Sequence, residues 1–190
     1  MDTMTNLAIA IAVAIVVSII VVFNALIAKR QMAHNGWSDI DVQLKRRADL
    51  IPQLVSTVQG YAAHERQLFA DIAEKRSAAL AAGADPAKRG VAESELSRPI
   101  GRLMALAEGY PDLKASGNFL DLQKQLADTE DKVEMARRFY NGAVRELNTL
   151  VETFPANVVA GLFGVGKRSY FEIANDADRA VPQVTTGIGQ

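Results

Sequence analysis

The sequence opens with a dense apolar block before its pattern becomes amphipathic. From Leu7 to Ala28 the chain has 22 residues, and only Ser18 and Asn24 interrupt the apolar run. As a helix this run extends about 33 Å, enough to cross a hydrocarbon core of roughly 30 Å. A cleaved signal peptide is the competing interpretation, but the preceding flank has Asp2 and no basic residue, and no small-residue cleavage pattern follows. The pattern predicts an uncleaved transmembrane helix.

Basic residues lie on one side of this predicted helix. Lys29 and Arg30 follow it directly, Lys45, Arg46 and Arg47 come later, and the N-terminal flank has none. The positive-inside rule therefore predicts that the soluble part is cytoplasmic and that the short N-terminus lies outside.

Two apolar registers with a seven-residue repeat follow the predicted span. Each proceeds in alternating steps of three and four and covers 36 residues. The first register consists of Trp37, Ile40, Leu44, Arg47, Ile51, Leu54, Val58, Tyr61, Glu65, Leu68 and Ile72. The second consists of Phe119, Leu122, Leu126, Thr129, Val133, Ala136, Tyr140, Ala143, Leu147, Leu150 and Phe154. Equal lengths and a shared period predict two long helices packed lengthwise.

Turn-forming residues divide the segment between the two registers. Residues 81–86 and 109–112 contain the Gly, Asp and Pro chemistry of loops. A shorter helix is expected between them, weakened or begun at Pro99. Pro52 falls on the side of the first long helix away from its seam, where we expect a kink. Ser116 or Asn118 can cap the second long helix.

These patterns predict an all-α protein with one N-terminal transmembrane helix that continues into an elongated antiparallel helical bundle with long heptad-patterned helices. The predicted divisions are a short tail at 1–6, the transmembrane helix at 7–28, the bundle at 29–180 and a disordered tail at 181–190. A short middle helix would leave part of the long seams uncovered. Because exposed apolar stripes of this length are rare, another copy of the chain is expected to cover them.

Composition argues against several classes of function. The formal net charge of -1 disfavours nucleic acid as a partner, and the absence of Cys removes thiol catalysis and Cys-based zinc sites. His64 and Glu65 begin the HExxH pattern of zinc proteases, but Leu68 stands where the second His is needed. The segment 161–169 has the glycine spacing of a phosphate loop, but Arg168 stands where Ser or Thr would bind magnesium. We predict no catalytic, cofactor-binding or metal-binding residue, although a carboxylate pair on the helices stays open.

Arg47 and Glu65 are charged residues at seam positions. Along one helix they would lie about 27 Å apart, so each needs a partner from another helix or another chain. A structural ion pair that fixes the register of the bundle is the favoured interpretation, and a polar spot for partner recognition is the alternative. Trp37 is expected in the core at the membrane-proximal end, and Tyr61 and Tyr140 on the seams.

The segment from Trp37 to Arg47, WSDIDVQLKRR, followed by DLIP at 49–52, resembles the signature of the LemA family. The resemblance continues in order through residues 58, 60–61, 64–65 and 110–115, through matching positions between 118 and 148, and through 154–155, 163–164 and 170–172. The signature and seam polar positions are Trp37, Asp41, Gln43, Arg46, Arg47, Pro52, Glu65, Glu130, Tyr140 and Asn141. The resemblance implies bacterial origin, a single span in the cytoplasmic (inner) membrane and a helical bundle. It implies no particular activity.

We therefore expect a non-enzymatic membrane protein, a scaffold or interaction protein that associates with its own copies. The alternative is an accessory or regulatory subunit of a membrane protease or transporter. The expected partners are the lipid bilayer, further copies of the chain and, in the alternative, another membrane protein.

Overall fold

In the computed structural model, which describes residues 3–173, the chain is helical and those residues contain no strand. The helices are α1 (Thr3–Gln59), α2 (Arg66–Ala81), α3 (Pro86–Glu108), α4 (Pro111–Lys114), α5 (Gly117–Glu152) and α6 (Ala156–Leu162). The predicted all-α class is confirmed. The predicted tail at 181–190 lies outside the described residues.

α1 joins the predicted span to the bundle without a break. It contains 57 residues and is therefore about 85 Å long. Its N-terminal part has an 18-residue window with a mean hydropathy of 2.9 and no buried residue, and is long and apolar enough to cross a membrane. Pro52 lies within α1 on its exposed side, as predicted. The Ala48 carbonyl, which an amide at residue 52 would otherwise bond, accepts from Arg76 Nε at 2.6 Å.

The predicted single helix from Trp37 to Ile72 is wrong, because α1 ends at Gln59. The amides of Tyr61 and Ala62 both donate to the carbonyl of Val58 at 3.0 Å, which closes the helix in a turn beginning at Gly60. Tyr61 is therefore 45% exposed and not on a seam. The spacing of apolar residues nevertheless extends across the turn to Ile72. That residue belongs to α2, which packs mainly on α3, and it is buried there.

α1 and α5 pack lengthwise, as the two registers predicted, and they run antiparallel. Lys29 Nζ lies 2.6 Å from Glu146 Oε2 near the membrane, and Asn118 Nδ2 donates to Thr57 Oγ1 at 3.2 Å at the far end. The second register is buried from Phe119 to Leu147, apart from a half-buried Ala136. Its last predicted position, Phe154, is instead 82% exposed because α5 ends at Glu152.

α2 and α3 form a hairpin over the far half of this pair. The Asp85 carboxylate caps α3 by accepting from the amides of Ala87 and Lys88, and Pro86 occupies the first turn, where it lacks no needed donor. Pro99 lies buried inside α3, so the prediction that it weakens or begins the helix is wrong. The buried neighbours Leu96 and Ile100 hold the helix through it, since tertiary packing overrides local preference.

The chain itself covers the long seams. The α2–α3 hairpin covers the far end, and α6 covers the membrane-proximal end. Between them lies the strap, an extended segment defined here as residues 164–173, whose Phe171 is fully buried against Trp37 and Tyr140. The long seams therefore need no second copy to cover them, and any self-association has to use another surface.

Candidate functional site

A buried polar network lies where α1, α3 and α5 meet. We define the Arg47 network as Arg47, Arg89, Glu93, Ser97 and Glu130. Arg47 is 3% exposed, and its Nη1 donates to Glu93 Oε2 at 2.9 Å. Its Nε donates to Glu130 Oε1 at 3.0 Å and its Nη2 to Ser97 Oγ at 2.9 Å. The predicted need of Arg47 for partners from other helices is confirmed, and all three guanidinium nitrogens are in use.

Glu93 connects the two buried guanidinium groups of this network. Its side chain is 1% exposed, and its Oε1 accepts from Arg89 Nε at 2.9 Å while its Oε2 accepts from Arg47. The half-exposed Glu130 supplies the second negative charge, so two cations meet two carboxylates. Such balance offsets the cost of burying charge. Within the described residues, Arg89 Nη2 and Gln43 Oε1 are buried without a hydrogen-bond partner.

An open groove of about 630 Å³ runs between α3 and α5 beside this network. Its lining is divided between apolar residues such as Ile100, Met104 and Leu126 and polar ones, which are Arg47, Ser97, Gln123, Glu130, Glu134 and Arg137. Within the Arg47 network, Arg47 already bonds both Ser97 and Glu130. The groove therefore presents no free nucleophile beside a base, which is the arrangement that covalent catalysis requires.

Aromatic side chains fix the strap to the α1–α5 pair. The Trp37 ring lies 5.7 Å from the Tyr140 ring and 5.6 Å from the Phe171 ring, centroid to centroid. The Tyr140 hydroxyl donates to the carbonyl of Ser169 at 2.8 Å. Burial of this hydroxyl raises the pKa of Tyr140 above its usual value of 10.0. The prediction that Trp37 is core is confirmed.

Two asparagines of α5 bind the backbone of the strap. Asn141 Nδ2 donates to the Phe171 carbonyl at 2.9 Å, and its Oδ1 accepts from the Phe171 amide at 3.0 Å. Asn148 makes the same pair of bonds with Arg168, at 3.0 and 2.9 Å. Because the two asparagines are seven residues apart, they share one face of α5. Together they replace the strand partner that an extended segment otherwise needs.

The remaining predicted positions do not join these groups. Asp41, Arg46 and Pro52 are exposed on the outer side of α1. The seam position predicted for Glu65 is wrong, because the residue precedes α2 at its N-cap and its side chain is 39% exposed. It lies 3.6 Å from His64, its neighbour in the chain.

Sequence reasoning missed Arg89, Glu93 and Asn148. Arg89 and Glu93 have the four-residue spacing of a helical ion pair, and Asn148 repeats Asn141 after one heptad. These spacings were available signals, but they resemble those of solvated surface residues.

Neither rejected chemical motif forms a site. Among residues 3–173 no group of His, Asp and Glu side chains has the arrangement of a metal centre. The segment that resembles a phosphate loop has Arg168 in the strap, where the Arg168 amide is already bonded to Asn148. That amide is thus unavailable to a phosphate.

Comparison with known sequences connects this architecture to one family. The LemA family profile matches residues 36–185. The chain is 25% identical to magnetosome protein MamQ of Magnetospirillum gryphiswaldense, over 94% of this chain and 77% of the relative. It is 24% identical to magnetosome protein MamQ 2 of Paramagnetospirillum magneticum, over 85% of this chain and 70% of the relative. It is 28% identical to protein LemA of Metamycoplasma hominis, over 72% of this chain and 63% of the relative.

Proposed function

Because the chain belongs to the LemA family, we propose that it is a single-pass bacterial membrane protein that acts as a non-enzymatic, self-associating scaffold. An apolar patch on the outer side of α5 carries the proposal. Met135 and Phe139 are 55% and 50% exposed and stand one helical turn apart. The Phe139 ring lies against the backbone of Gly36, where a Cβ would come within 2.9 Å of its Cδ1, so the patch borders α1.

The patch fits a second copy of the same elongated bundle, which we call the rod. It lies partway along α5, between the membrane-proximal Glu146 and the Arg47 network at Glu130. A helix that meets its own copy there brings equivalent patches together about a twofold axis, the commonest symmetry of homo-oligomers. All copies share one membrane, so their soluble parts stand side by side.

The polar side chains of the family signature support a structural role. Arg47, Tyr140 and Asn141 bond to groups of the same chain and expose no converging reactive atoms. The names of the relatives state no chemical reaction. Side chains that hold the elements of the chain together suit a protein that presents surfaces rather than one that converts a substrate.

The oligomeric mass of the full chain in mild detergent tests this proposal. We expect the wild type to exceed the mass of one chain by light scattering corrected for detergent, and Phe139→Glu to shift it toward one chain. The matched control is Val91→Glu, because Val91 is 62% exposed and lies on a different helix, α3. A strictly monomeric wild type, or an unchanged Phe139→Glu oligomer, contradicts self-association through this surface. Stoichiometric recovery of a membrane protease or transporter would instead assign the role of accessory subunit.

The fold adds support for an inner-membrane protein with a cytoplasmic bundle. Lys29 and Arg30 follow the predicted span, and the strap returns Lys167 and Arg168 to the same end of the rod, since Arg168 binds Asn148 near the Lys29–Glu146 pair. Four basic residues close to one membrane face favour the cytoplasmic side.

Cysteine labelling tests the orientation, because the chain has no native Cys. Leu80→Cys places a thiol at a 43% exposed position at the C-terminal end of α2, on the α2–α3 hairpin. An impermeant maleimide applied to spheroplasts should label it only after the inner membrane is permeabilised. Labelling of intact spheroplasts would place the bundle outside the cytoplasm.

A further inference from the structure

The membrane-proximal end of the rod carries an uncharged segment that the Met135–Phe139 patch does not involve. We define the α6 hairpin as residues 153–166, which include α6 and contain no Asp, Glu, Lys or Arg. Glu152 precedes it and Lys167 follows it, and Lys167 Nζ lies 2.6 Å from Glu152 Oε1. The two charged residues that flank the hairpin, Glu152 and Lys167, thus form an ion pair where the hairpin begins and ends.

The α6 hairpin has a packed side and an apolar outer side. Val159 and Ala160 are buried against Leu26 of α1 and Leu147 of α5. Its large outer side chains are exposed: Phe154 by 82%, Val158 by 54%, Leu162 by 73% and Phe163 by 53%. The exposed surface is therefore apolar as well as uncharged, which is unusual for a surface that faces water.

The position of α6 along α1 gives its depth. Ile19, Val22 and Phe23 of α1 pack against the cluster that contains Val159 and Ala160. The Phe23 and Phe163 rings lie 4.6 Å apart, centroid to centroid. The α6 hairpin is therefore level with residues 19–26 of α1.

The length of α1 places that level at the bilayer. A hydrocarbon core of about 30 Å needs roughly 20 helical residues. The apolar run of α1 extends from Leu7 to Ala28, and its first twenty residues reach Leu26. Basic residues follow it only from Lys29 onward. Residues 19–26, against which α6 packs, are therefore part of the segment that crosses the membrane.

We infer that the α6 hairpin is immersed in the boundary between headgroups and acyl chains of the bilayer that α1 crosses. Its outer face, formed by Phe154, Val158, Leu162 and Phe163, contacts lipid. The inference rests on the proposed membrane anchoring of α1 and adds a second contact with the same membrane. Two elements, α1 and the α6 hairpin, then contact the membrane, rather than α1 alone.

The backbone of the hairpin is suited to this environment. The Asn157 amide donates to the Thr153 carbonyl at 2.8 Å, and the Val165 amide to the Ala160 carbonyl at 2.9 Å. Thr153 Oγ1 donates to the Thr149 carbonyl at 2.9 Å. Internal bonds of this kind are needed where water is scarce. The Glu152–Lys167 pair then lies at the level of the headgroups.

Lipid is the occupant that the surroundings favour. The outer face of the hairpin continues the apolar surface of α1, where Ile20 and Val21 are 52% and 61% exposed at the same level. A surface continuous with the lipid-facing side of a spanning helix meets the same solvent as that helix.

Spin labels on the full chain in vesicles of phosphatidylethanolamine and phosphatidylglycerol measure this depth directly. Single-Cys variants are clean because the chain has no native Cys. Leu162→Cys reports on the α6 hairpin, and Leu80→Cys, another exposed leucine, is the matched control on α2, which contacts α1 at Ala48, beyond the predicted span. Ile11→Cys, at a 54% exposed position, reports on the span itself. Oxygen concentrates in lipid and a neutral nickel chelate in water, so the ratio of their collision rates gives the depth of each label.

We expect the ratio of oxygen to nickel collisions at Leu162→Cys to exceed that at Leu80→Cys several-fold and to be lower than that at Ile11→Cys. A ratio at Leu162→Cys equal to that at Leu80→Cys would place the hairpin in water and overturn the inference while leaving the anchor intact. Low collision rates with both reagents would mean that protein covers the hairpin, which also overturns it. A water-like ratio at Ile11→Cys would reject the anchor on which the inference rests.

Discussion

Replacing Arg47 with Met should destabilise the bundle strongly. The substitution leaves Glu93, whose side chain is 1% exposed, with one of its two guanidinium partners. Removing one partner from a buried ion pair costs about 3–5 kcal/mol, because an uncompensated charge remains. Arg89 still donates to Glu93 at 2.9 Å, so we expect the lower end of that range, about 3 kcal/mol.

Two substitutions in the same network serve as internal standards. Glu130→Gln removes a carboxylate whose side chain is 50% exposed and should cost about 1 kcal/mol or less, because water screens it. Glu93→Gln removes the charge that both buried guanidinium groups share. It should cost at least as much as Arg47→Met, in the range of about 3–5 kcal/mol. The expected order of destabilisation therefore follows burial, not the number of hydrogen bonds.

Urea unfolding of the full chain in detergent measures these differences. Trp37 is the sole Trp, is 9% exposed and packs on Tyr140 and Phe171, so its fluorescence reports on loss of the bundle. If Arg47→Met lies within about 1 kcal/mol of the wild type, the structural interpretation of the network is wrong, because an exposed pair would cost no more. A stable Arg47→Met bundle with lost activity in cells would instead support partner recognition.

Two further substitutions test the strap. Gly90→Ala should destabilise the bundle by about 1–3 kcal/mol and expose the strap to protease, because the new Cβ would lie 2.3 Å from the Glu172 carbonyl oxygen. Gly101→Ala on the same helix is the control: its Cβ meets nothing within 4 Å, and it should stabilise the bundle by about 0.5–1 kcal/mol. Burial raises the pKa of Tyr140 in the folded state above the usual value of 10.0, which applies to the unfolded chain. The contribution of Tyr140 to the free energy of unfolding is therefore fully present below pH 10.0 and is lost as the pH rises through the folded pKa. Tyr140→Phe should therefore weaken the alkaline loss of unfolding free energy and cost about 1 kcal/mol at neutral pH through the bond to Ser169; an unchanged alkaline slope would contradict this assignment.

The long α5 helix was predictable because one physical pattern dominates it. Positions from Phe119 to Leu147 face α1 along nearly the whole of α5, so their spacing reflects real burial. The same reasoning failed in α1 after Val58. There a turn inserted at Gly60 happens to keep the spacing of three and four, and Ile72 is buried against a different helix. Of the positions after Val58, Tyr61 is exposed and Glu65 partly exposed while Ile72 is buried, so a continuous spacing does not show that one helix carries all of its positions.

The Arg47 network could also be predicted from the sequence only in part. A charged residue in an apolar seam predicts that a partner exists, since an unpaired buried charge is costly. It does not predict which carboxylate provides the pair, because that depends on how α3 crosses α1. Glu93 could be recognised from sequence only through its spacing from Arg89, and this spacing also occurs on solvated helices.

The strap was beyond prediction for a different reason. Its hold on α5 depends on main-chain amides and carbonyls, which every residue has, so Arg168 and Phe171 carry no sequence mark of being bound there. Only Asn141 and Asn148 differ from ordinary helix residues, and an Asn on a helix more often faces water. An element that is held by side-chain packing produces a regular spacing of apolar residues in the sequence. The strap is held through its backbone, so the sequence shows only the two asparagines that bond to it. The α6 hairpin occupies an intermediate position, since its lack of charge is visible in the sequence while its depth follows only from its packing against Phe23.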